Sequence, residues 1–368
     1  MKNLKLNLFT LIVILGVLLA GCNTGTNDKA ESPENENQKN ASDTKTENKE
    51  PESRNVQYYF TADEGGSITK IDASSDEVVD KIDADGVVHN VQVSPDNKIL
   101  GATVVPEMNH GGEVMEMNGS VFFYDVDSNE LLKTVEVGNH PAHIVFTEDG
   151  KYALVSNNED DNVSVIDMEG FTVIQTIDTG NGPHGFRISV DSRKAYVANM
   201  GEDTVSILDL KTMKEEKRIT VGPAPVTTGI TSDGKTLVAT SNKDNMVAIV
   251  DLETDQVEKV DVGKGPAQLY IDANNQFAYI ANQGTEDSPS NSVSVVDLAS
   301  KEVTATIETG KGSHGVVTSP DNKRLYVTNM YDNTVSVIDT ENNKVIETVN
   351  VGTTPNGISI TDKIKKPE

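Results

Sequence analysis

The histidines of this chain and one methionine-rich segment are its clearest candidates for chemistry. Segment 106–119 reads PEMNHGGEVMEMNG, so that His110 stands among Met108, Met115 and Met117. Imidazole with thioether suits copper, particularly Cu(I), whereas imidazole with carboxylate from the glutamates of the segment suits zinc. Packing of flexible apolar methionines within a loop is the alternative. The other five histidines of the 368-residue chain are His89, His140, His143, His184 and His314.

A repeat of about 42 residues determines how these side chains are positioned. Seven short β-rich runs each end in aspartate, and these aspartates are Asp72, Asp125, Asp167, Asp209, Asp251, Asp297 and Asp339. Their spacings are 53, 42, 42, 42, 46 and 42 residues. A period in the 40s that reads as strands predicts a β-propeller. We interpret the aspartates as structural, because an Asx side chain that precedes a turn accepts hydrogen bonds from backbone amides two residues on.

Each repeat contains four short β-branched runs, the composition of a propeller blade. We name the strands of a blade A to D, from the central channel outward. Residues 58–82 supply B, C and D strands without an A strand, and a single A-like run remains at 356–360. The sequence therefore predicts an all-β, seven-bladed propeller of four-stranded blades, closed by pairing of its two ends.

The B and C runs also resemble a known repeat family. B strands read YALVSN at 152–157, AYVAN at 195–199, FAYIAN at 277–282 and LYVTN at 325–329, and C strands read VSVID at 163–167 and VSILD at 205–209. These residues resemble the YVTN-type β-propeller family, of which YncE-like proteins are members. The resemblance covers about 310 residues and implies the seven-bladed fold, but it implies no particular function.

Departures from the repeat fall on one face of the predicted propeller. The period is broken by about eleven extra residues within 106–119 and about four within 284–291, both in B–C connections. Long loops on a rigid scaffold commonly carry binding sites. Alignment of the A strands places His89, Ala142, His184, Val226, Ala267, His314 and Asn356 at equivalent positions. All six histidines map to the face of the B–C connections, around the channel mouth.

This mapping gives a candidate metal site at the mouth. Blades three and six are not neighbours, so a compact site is expected to use His89, His110 and His143, with His140 or His184. Met108, Met115 and Met117 belong to the candidate set through the insertion. His314, Met200 and Met330 form a second tier, because the two methionines follow the B-strand asparagines of the blades that carry His184 and His314. For His184 and His314, a local structural role at the start of the A strand is the alternative.

Other chemistry finds no support in the sequence. No Gly-rich phosphate loop, Gly-x-Ser-x-Gly elbow or Cys-x-x-Cys-His haem motif occurs, so neither nucleotide nor haem is indicated as a cofactor. The formal net charge of −27 argues against nucleic acid as a partner. A catalytic residue is not indicated, and the propeller is expected to be monomeric.

The N-terminus has the pattern of a secreted, lipid-anchored chain. Lysines at positions 2 and 5 precede an apolar run at 8–18, too short for a comfortable membrane span. The tetrad at 19–22, Leu-Ala-Gly-Cys, resembles the lipobox of bacterial lipoproteins, which implies lipidation of Cys22. Residues 1–21 are then a lipoprotein signal peptide. Residues 22–55 are the lipidated cysteine and a disordered tether, because no Val, Ile, Leu or aromatic residue occurs from 23 to 55. The propeller spans 56–361, followed by a polar tail at 362–368.

These patterns predict an extracytoplasmic propeller, anchored to a bacterial cell membrane through lipid, that binds copper or zinc at its His/Met-rich mouth and acts in metal handling. A scaffold that binds a protein or cell-wall partner at the elaborated face is one alternative. A metal- or cofactor-dependent enzyme that uses the same mouth is the other. An enzyme keeps an open coordination position and turns over a substrate, whereas a scaffold binds no metal tightly.

Overall fold

The computed structural model describes residues 56–106 and 118–362. Within these ranges the chain forms 28 strands and no helix. The strands are β1 (Tyr58–Asp63), β2 (Ser67–Asp72), β3 (Glu77–Asp83), β4 (Val87–Val93), β5 (Ile99–Val105), β6 (Asn118–Asp125), β7 (Leu131–Asn139), β8 (Pro141–Phe146), β9 (Tyr152–Asn157), β10 (Asn162–Asp167), β11 (Thr172–Asp178), β12 (Pro183–Ile188), β13 (Lys194–Asn199), β14 (Thr204–Asp209), β15 (Lys214–Thr220), β16 (Thr228–Ile230), β17 (Thr236–Ser241), β18 (Met246–Asp251), β19 (Gln256–Asp261), β20 (Pro266–Ile271), β21 (Phe277–Thr285), β22 (Ser288–Asp297), β23 (Glu302–Glu308), β24 (Ser313–Thr318), β25 (Arg324–Asn329), β26 (Thr334–Asp339), β27 (Lys344–Asn350) and β28 (Pro355–Ile360).

The strands form seven four-stranded antiparallel sheets, one for each predicted blade. Blades 1 to 6 are β4–β7, β8–β11, β12–β15, β16–β19, β20–β23 and β24–β27, and blade 7 combines β28 with β1–β3. In blade 7, Tyr59 of β1 pairs with Ile360 of β28, and Thr61 pairs with Ile358. This arrangement confirms the seven-bladed, all-β prediction and the closure between the two ends of the propeller.

The hydrophobic core lies between neighbouring sheets rather than in one central mass. Each blade contact buries a cluster of aliphatic and aromatic side chains, such as Val121 and Phe123 of blade 1 against Ile144 and Val155 of blade 2. Full burial of one such side chain contributes about 1.5–3 kcal/mol to stability. The D strands form the outer rim and are mostly exposed. Each blade is therefore held by the two blades beside it.

The aspartates that end the C strands have the structural role expected from the sequence. Asp125, for example, accepts hydrogen bonds from the amides of Asp127, at 3.1 Å, and Ser128, at 2.8 Å. All seven of these aspartates accept at least one bond from an amide two or three residues on. They fix the C–D turns of the blades.

The smaller insertion and the N-terminal predictions remain to be compared with the structure. The smaller insertion lengthens β21 and β22 into a longer hairpin, in which Thr285 pairs with Ser288, instead of forming a loose loop. Within the described ranges, no segment forms a helix with the length and hydropathy of a membrane span. Cys22 and the segment that carries His110, Met108, Met115 and Met117 lie outside the described residues.

Candidate metal centre

Three histidines from consecutive blades converge at one mouth of the channel. His89 lies on β4, His143 on β8 and His184 on β12, and each of these is the innermost strand of its blade. One ring nitrogen of each histidine lies within 4.8 Å of a ring nitrogen of both others. The ring centroids of His143 and His184 are 4.9 Å apart, and those of His89 and His184 are 5.3 Å apart. We call these residues the three-histidine cluster.

β-Bulges at the start of the A strands bring the cluster together. The register between A and B strands shifts between Val88 and Asn90 in blade 1, and equivalent shifts occur next to His143 and His184. An extra residue in a strand interrupts the regular alternation of side chains and re-aims those at the bulge. His143 therefore reaches the cluster although it lies one residue further along its strand than the position that His89 and His184 share.

The approach to β8 is also fixed by hydrogen bonds. The amide of Gly138 donates to Oδ1 of Asn157, at 3.0 Å, and the amide of Asn139 donates to Asp160, at 2.8 Å. The His143 amide donates to the hydroxyl of Ser156, at 3.0 Å. The backbone that carries His143 is thus anchored on both sides of the bulge.

Hydrogen bonds at the Nδ1 atoms determine which nitrogens of the cluster carry lone pairs. His89 Nδ1 lies 3.2 Å from Oε1 of Glu64, and His184 Nδ1 lies 3.0 Å from the carbonyl oxygen of Val226. Both partners accept hydrogen bonds. Nδ2 of Asn356 also lies 3.3 Å from His89 Nδ1, but this amide makes its shorter bond, at 2.7 Å, to Glu64, so we assign the proton of each neutral ring to Nδ1. Nε2 of both rings is then an acceptor with a free lone pair. This is the form in which imidazole binds a metal, and a carboxylate behind such a ligand increases its basicity.

The geometry of these lone pairs is unfavourable without a cation. His89 Nε2 and His184 Nε2 lie 3.3 Å apart, and two neutral acceptors at this distance repel each other. A tetrahedral metal with bonds of about 2.0–2.1 Å to nitrogen separates its ligand atoms by about 3.3 Å. His143 Nε2 is buried and has no hydrogen-bond partner within residues 56–106 and 118–362. A metal ion between the rings would satisfy all three nitrogens, and a proton between His89 and His184 would satisfy only two.

Burial keeps two rings of the cluster neutral. The His143 side chain is 1% exposed, and burial, with repulsion from His184 and His89, lowers its pKa well below the usual value. Burial and the charge of His89 lower the pKa of His184 to about 3. Burial by itself would raise the pKa of Glu64, but the hydrogen bond and charge of His89, with a hydrogen bond from Asn356, lower it instead. His143 and His184 are thus neutral imidazoles, and the carboxylate behind His89 is ionised.

Two further predicted histidines lie near the cluster but outside it. His140 is 43% exposed, its ring centroid lies 6.0 Å from that of His89, and its Nδ1 is 3.5 Å from Glu159. His314 is buried, with Nδ1 at 3.4 Å from the carbonyl oxygen of Asn356 and from Nε2 of Gln268. Burial and the charge of His89 lower its pKa to about 4. The alternative of a local structural role therefore fits His314 better than His184.

The second-tier methionines are also outside the cluster. Met330 is buried, and its sulfur accepts a hydrogen bond from Gln283 at 3.2 Å. Met200 is 37% exposed. The described part of the candidate site therefore contains imidazole nitrogens and a carboxylate, but no thioether. Its chemistry suits zinc or Cu²⁺ better than Cu(I).

Glu64 is the residue of the site that the sequence analysis did not identify. It follows β1 of blade 7, at the position that Met200 and Met330 occupy in blades 3 and 6. This equivalence with Met200 and Met330 is the feature of the sequence from which Glu64 could have been identified as a site residue. The Glu64 carboxylate also accepts a hydrogen bond from Nδ2 of Asn356, at 2.7 Å, which fixes it beside His89. This contact exists only because blade 7 joins the two ends of the propeller.

Comparisons with solved structures agree with this fold. The chain is similar to Kuenenia stuttgartiensis hydrazine synthase, with a TM-score of 0.65, 21% identity, and coverage of 74% of this chain and 89% of that chain. It is similar to the periplasmic gluconolactonase PpgL of Pseudomonas aeruginosa, with a TM-score of 0.68, 18% identity, and coverage of 84% and 99%. A protein of unknown function from Desulfotomaculum acetoxidans gives a TM-score of 0.70 at 13% identity, with coverage of 83% and 99%. At these identities the likeness shows the fold alone.

Sequence comparison identifies the family directly. No curated protein matches the chain significantly. The sequence profile of the YNCE-like β-propeller family, however, matches residues 112–276 and 281–366, which is more than half of the chain. The seven four-stranded sheets agree with this match. The chain therefore belongs to the YNCE-like β-propeller family.

Proposed function

We propose that this protein is a metal-binding propeller of the bacterial cell envelope, which holds one zinc or copper ion between His89, His143 and His184. The observation that carries the proposal is the arrangement of the Nε2 atoms. Two of them face each other at 3.3 Å with their Nδ1 protons committed elsewhere, and the third is buried without a partner among the described residues. A single cation bound between the rings would satisfy all of these nitrogens at once.

The ligand set supports a divalent transition metal rather than calcium or magnesium. Those two ions prefer carboxylate, carbonyl and water oxygens, whereas neutral imidazole suits zinc and copper. Glu64 behind His89 and the Val226 carbonyl behind His184 supply the outer hydrogen bonds that orient metal-binding imidazoles. Three protein ligands leave a fourth position of a tetrahedral ion free. That position is where a partner, water or substrate would bind.

Metal handling is the function that we favour for this site. In such a role the propeller takes up the ion at the channel mouth and passes it to a partner that supplies the missing ligand. A metal-dependent enzyme at the same mouth is the second candidate, and the free fourth position is the observation that favours it. Experiment can distinguish these two functions. An enzyme turns over a substrate while it retains the metal, whereas a metal-handling protein passes the metal to a partner.

The place of this function is the outer side of a cell membrane. The apolar run at 8–18 and the Leu-Ala-Gly-Cys tetrad support a lipid anchor on Cys22, and residues 23–55 support a tether. Membrane fractionation of wild type and Cys22→Ser tests this part separately. We expect the wild type in the membrane fraction and the variant outside it. Equal distribution of the two would contradict the anchor.

Metal analysis after equilibrium dialysis tests the metal site. We expect the full-length protein to retain about one equivalent of zinc or copper, and His143→Ala and His184→Ala to retain less than about a tenth. His314→Ala is the matched control, because His314 is as buried as His184, occupies the equivalent position in blade 6 and lies outside the cluster. It should retain the metal. Wild type below about a tenth of an equivalent, or equal metal in His184→Ala and wild type, would refute the proposal.

A further inference from the structure

A cavity lies in the channel where the A strands end, away from the three-histidine cluster. Its volume is about 440 Å³, within the range of small-molecule sites. Arg187, Tyr270 and Gln92 line it, together with the acidic side chains of Glu148 and Asp362. His184 and Arg187 lie near opposite ends of β12, three residues apart, which corresponds to roughly 10 Å along a strand. The cavity therefore lies toward the other mouth of the channel.

Arg187 is a departure from the repeat. Strand pairing places it at the same level as one residue in every other A strand, namely Gln92, Val145, Gly229, Tyr270, Val317 and Ser359. None of these six residues is ionised at neutral pH, so Arg187 is the single cation of this ring. A charge at a position that six other blades fill with neutral side chains is not required by the fold.

The guanidinium of Arg187 has unused donor capacity. Its Nη1 donates to the carbonyl oxygen of Phe186, at 3.0 Å, and its Cζ lies 5.7 Å from the centroid of the Tyr270 ring. In the described residues, no carboxylate oxygen lies within 4 Å of it. A guanidinium offers five N–H donors in a planar fork that fits a carboxylate. The cation–π contact with Tyr270 uses none of these donors.

Two acids of the same cavity also lack a cationic partner. No Lys, Arg or His nitrogen in the described ranges lies within 4 Å of the Glu148 or Asp362 carboxylate. Both residues are solvent-exposed at the edge of the cavity, and partial burial together with the charge of Asp362 raises the pKa of Glu148. The cavity thus has an unpaired cation on its wall and two exposed acids at its edge, and within the described residues none of the three has an oppositely charged partner.

We propose that this cavity binds a small organic zwitterion, whose carboxylate pairs with Arg187 and whose ammonium group lies between Glu148 and Asp362. A plain anion would satisfy Arg187 but would meet two carboxylates in the same cavity and a chain with a net charge of −27. A plain cation would leave the guanidinium unpaired. A molecule that carries both charges is the class that compensates each group.

Calorimetric titration of the full-length protein tests this inference. The distance between the two charges of the ligand is sampled with glycine, 4-aminobutyrate and 6-aminohexanoate, and each is compared with the acid in which methyl replaces ammonium: propanoate, pentanoate and heptanoate. We expect at least one amino acid to bind, and its matched acid to bind at least about tenfold more weakly. Failure of all three amino acids to bind at about 10 mM, or equal binding of the matched acids, would overturn the proposal.

Variants locate the site. Arg187→Met should weaken binding of the amino acid roughly 10- to 100-fold, because a hydrogen bond to a charged group is lost. Glu148→Gln should weaken it less, because Asp362 remains. Arg193→Met is the matched control, since this exposed arginine lies beyond the end of the same strand and outside the cavity lining. It should bind like wild type.

Folding of the variants is checked by thermal melting, and Arg187→Lys provides a second variant that keeps the charge. We expect Arg187→Lys to melt like wild type and to bind more tightly than Arg187→Met. Unchanged binding in Arg187→Met, or loss of binding in Arg193→Met as well, would contradict the site. The titrations use metal-free protein, because glycine chelates zinc and copper, so metal content and zwitterion binding fail or succeed independently.

Discussion

The C–D turns and the starts of the A strands differ in how faithfully the repeat is kept. All seven C–D turns begin with aspartate. Each of these aspartates accepts a hydrogen bond from a backbone amide two or three residues further along the chain. The equivalent positions at the starts of the A strands are occupied by His89, Ala142, His184, Val226, Ala267, His314 and Asn356. The turn residue is thus the same in every blade, whereas the residue at the channel mouth varies from blade to blade. Function is therefore to be sought at the mouth.

Removal of the last A strand should have the largest effect. Truncation after Val351 deletes β28, and blade 7 then loses the strand that pairs with β1 and joins the ends of the ring. It also exposes the edge of β1. We expect no cooperative thermal unfolding of this variant by circular dichroism. Truncation after Asp362 is the control and should melt like wild type. A monomeric, cooperatively melting protein that ends at Val351 would refute the closure.

Replacement of Glu64 tests the mouth without removing a ligand. Glu64→Gln keeps the shape of the side chain but loses the carboxylate that accepts from His89 Nδ1. Loss of such an outer partner weakens metal affinity about 10- to 100-fold. The measurement is competition with a chromophoric chelator. Glu159→Gln is the control, because Glu159 is exposed and contacts His140 instead. Equal effects of the two variants would contradict the role of Glu64.

The buried histidines should also make the metal-free protein sensitive to acid. The pKa of His184 is lowered to about 3, that of His314 to about 4, and that of His143 well below the usual value, in each case mainly by burial. Below pH ~6.5 the unfolded chain therefore binds more protons than the folded protein, and stability falls as the pH decreases. The slope is at most about 1.4 kcal/mol per pH unit for each histidine.

Urea unfolding of the metal-free protein between about pH 7.5 and 4.5 measures this slope. His314→Gln removes one buried imidazole outside the cluster and should reduce the slope. A constant unfolding free energy over this range, or a higher one at acidic pH, would contradict the assignment of buried neutral rings.

The smallest effect is expected at a C–D turn. Asp125→Ala removes bonds from the amides of Asp127 and Ser128, but the turn is solvent-exposed. We expect a loss of at most about 1 kcal/mol in unfolding free energy and no change in metal content. His184→Ala, by contrast, should lose the bound metal. If Asp125→Ala abolished metal binding, the separation between turns and mouth would fail.

The sequence predicted the blades well because each blade repeats the same local pattern. The 42-residue period, the B-strand asparagines and the unmatched run at 356–360 gave the strand order and the closure. The equivalence of His89 and His184 was predicted from the same alignment, and strand pairing agrees with it. These features follow from local residue patterns and from the spacing between repeats, and a single sequence shows both.

The set of residues that forms the metal site was harder to predict. His143 joins the cluster through a bulge that changes the direction of its side chain, and alternation alone does not reveal a bulge. Glu64 reaches His89 across the contact between the closing blade and blade 1, so its role depends on a pairing between residues about 300 positions apart. The extra residues near Thr285 extend a hairpin, because both sides of the turn continue the B–C pairing.

Anomalous X-ray diffraction from crystals grown with zinc tests the central claim most directly. Data collected on both sides of the zinc absorption edge identify the ion and its position. We predict one anomalous peak at about 2.0–2.1 Å from a ring nitrogen of each of His89, His143 and His184. A map without a peak among these three rings, or with zinc bound only elsewhere, would contradict the account.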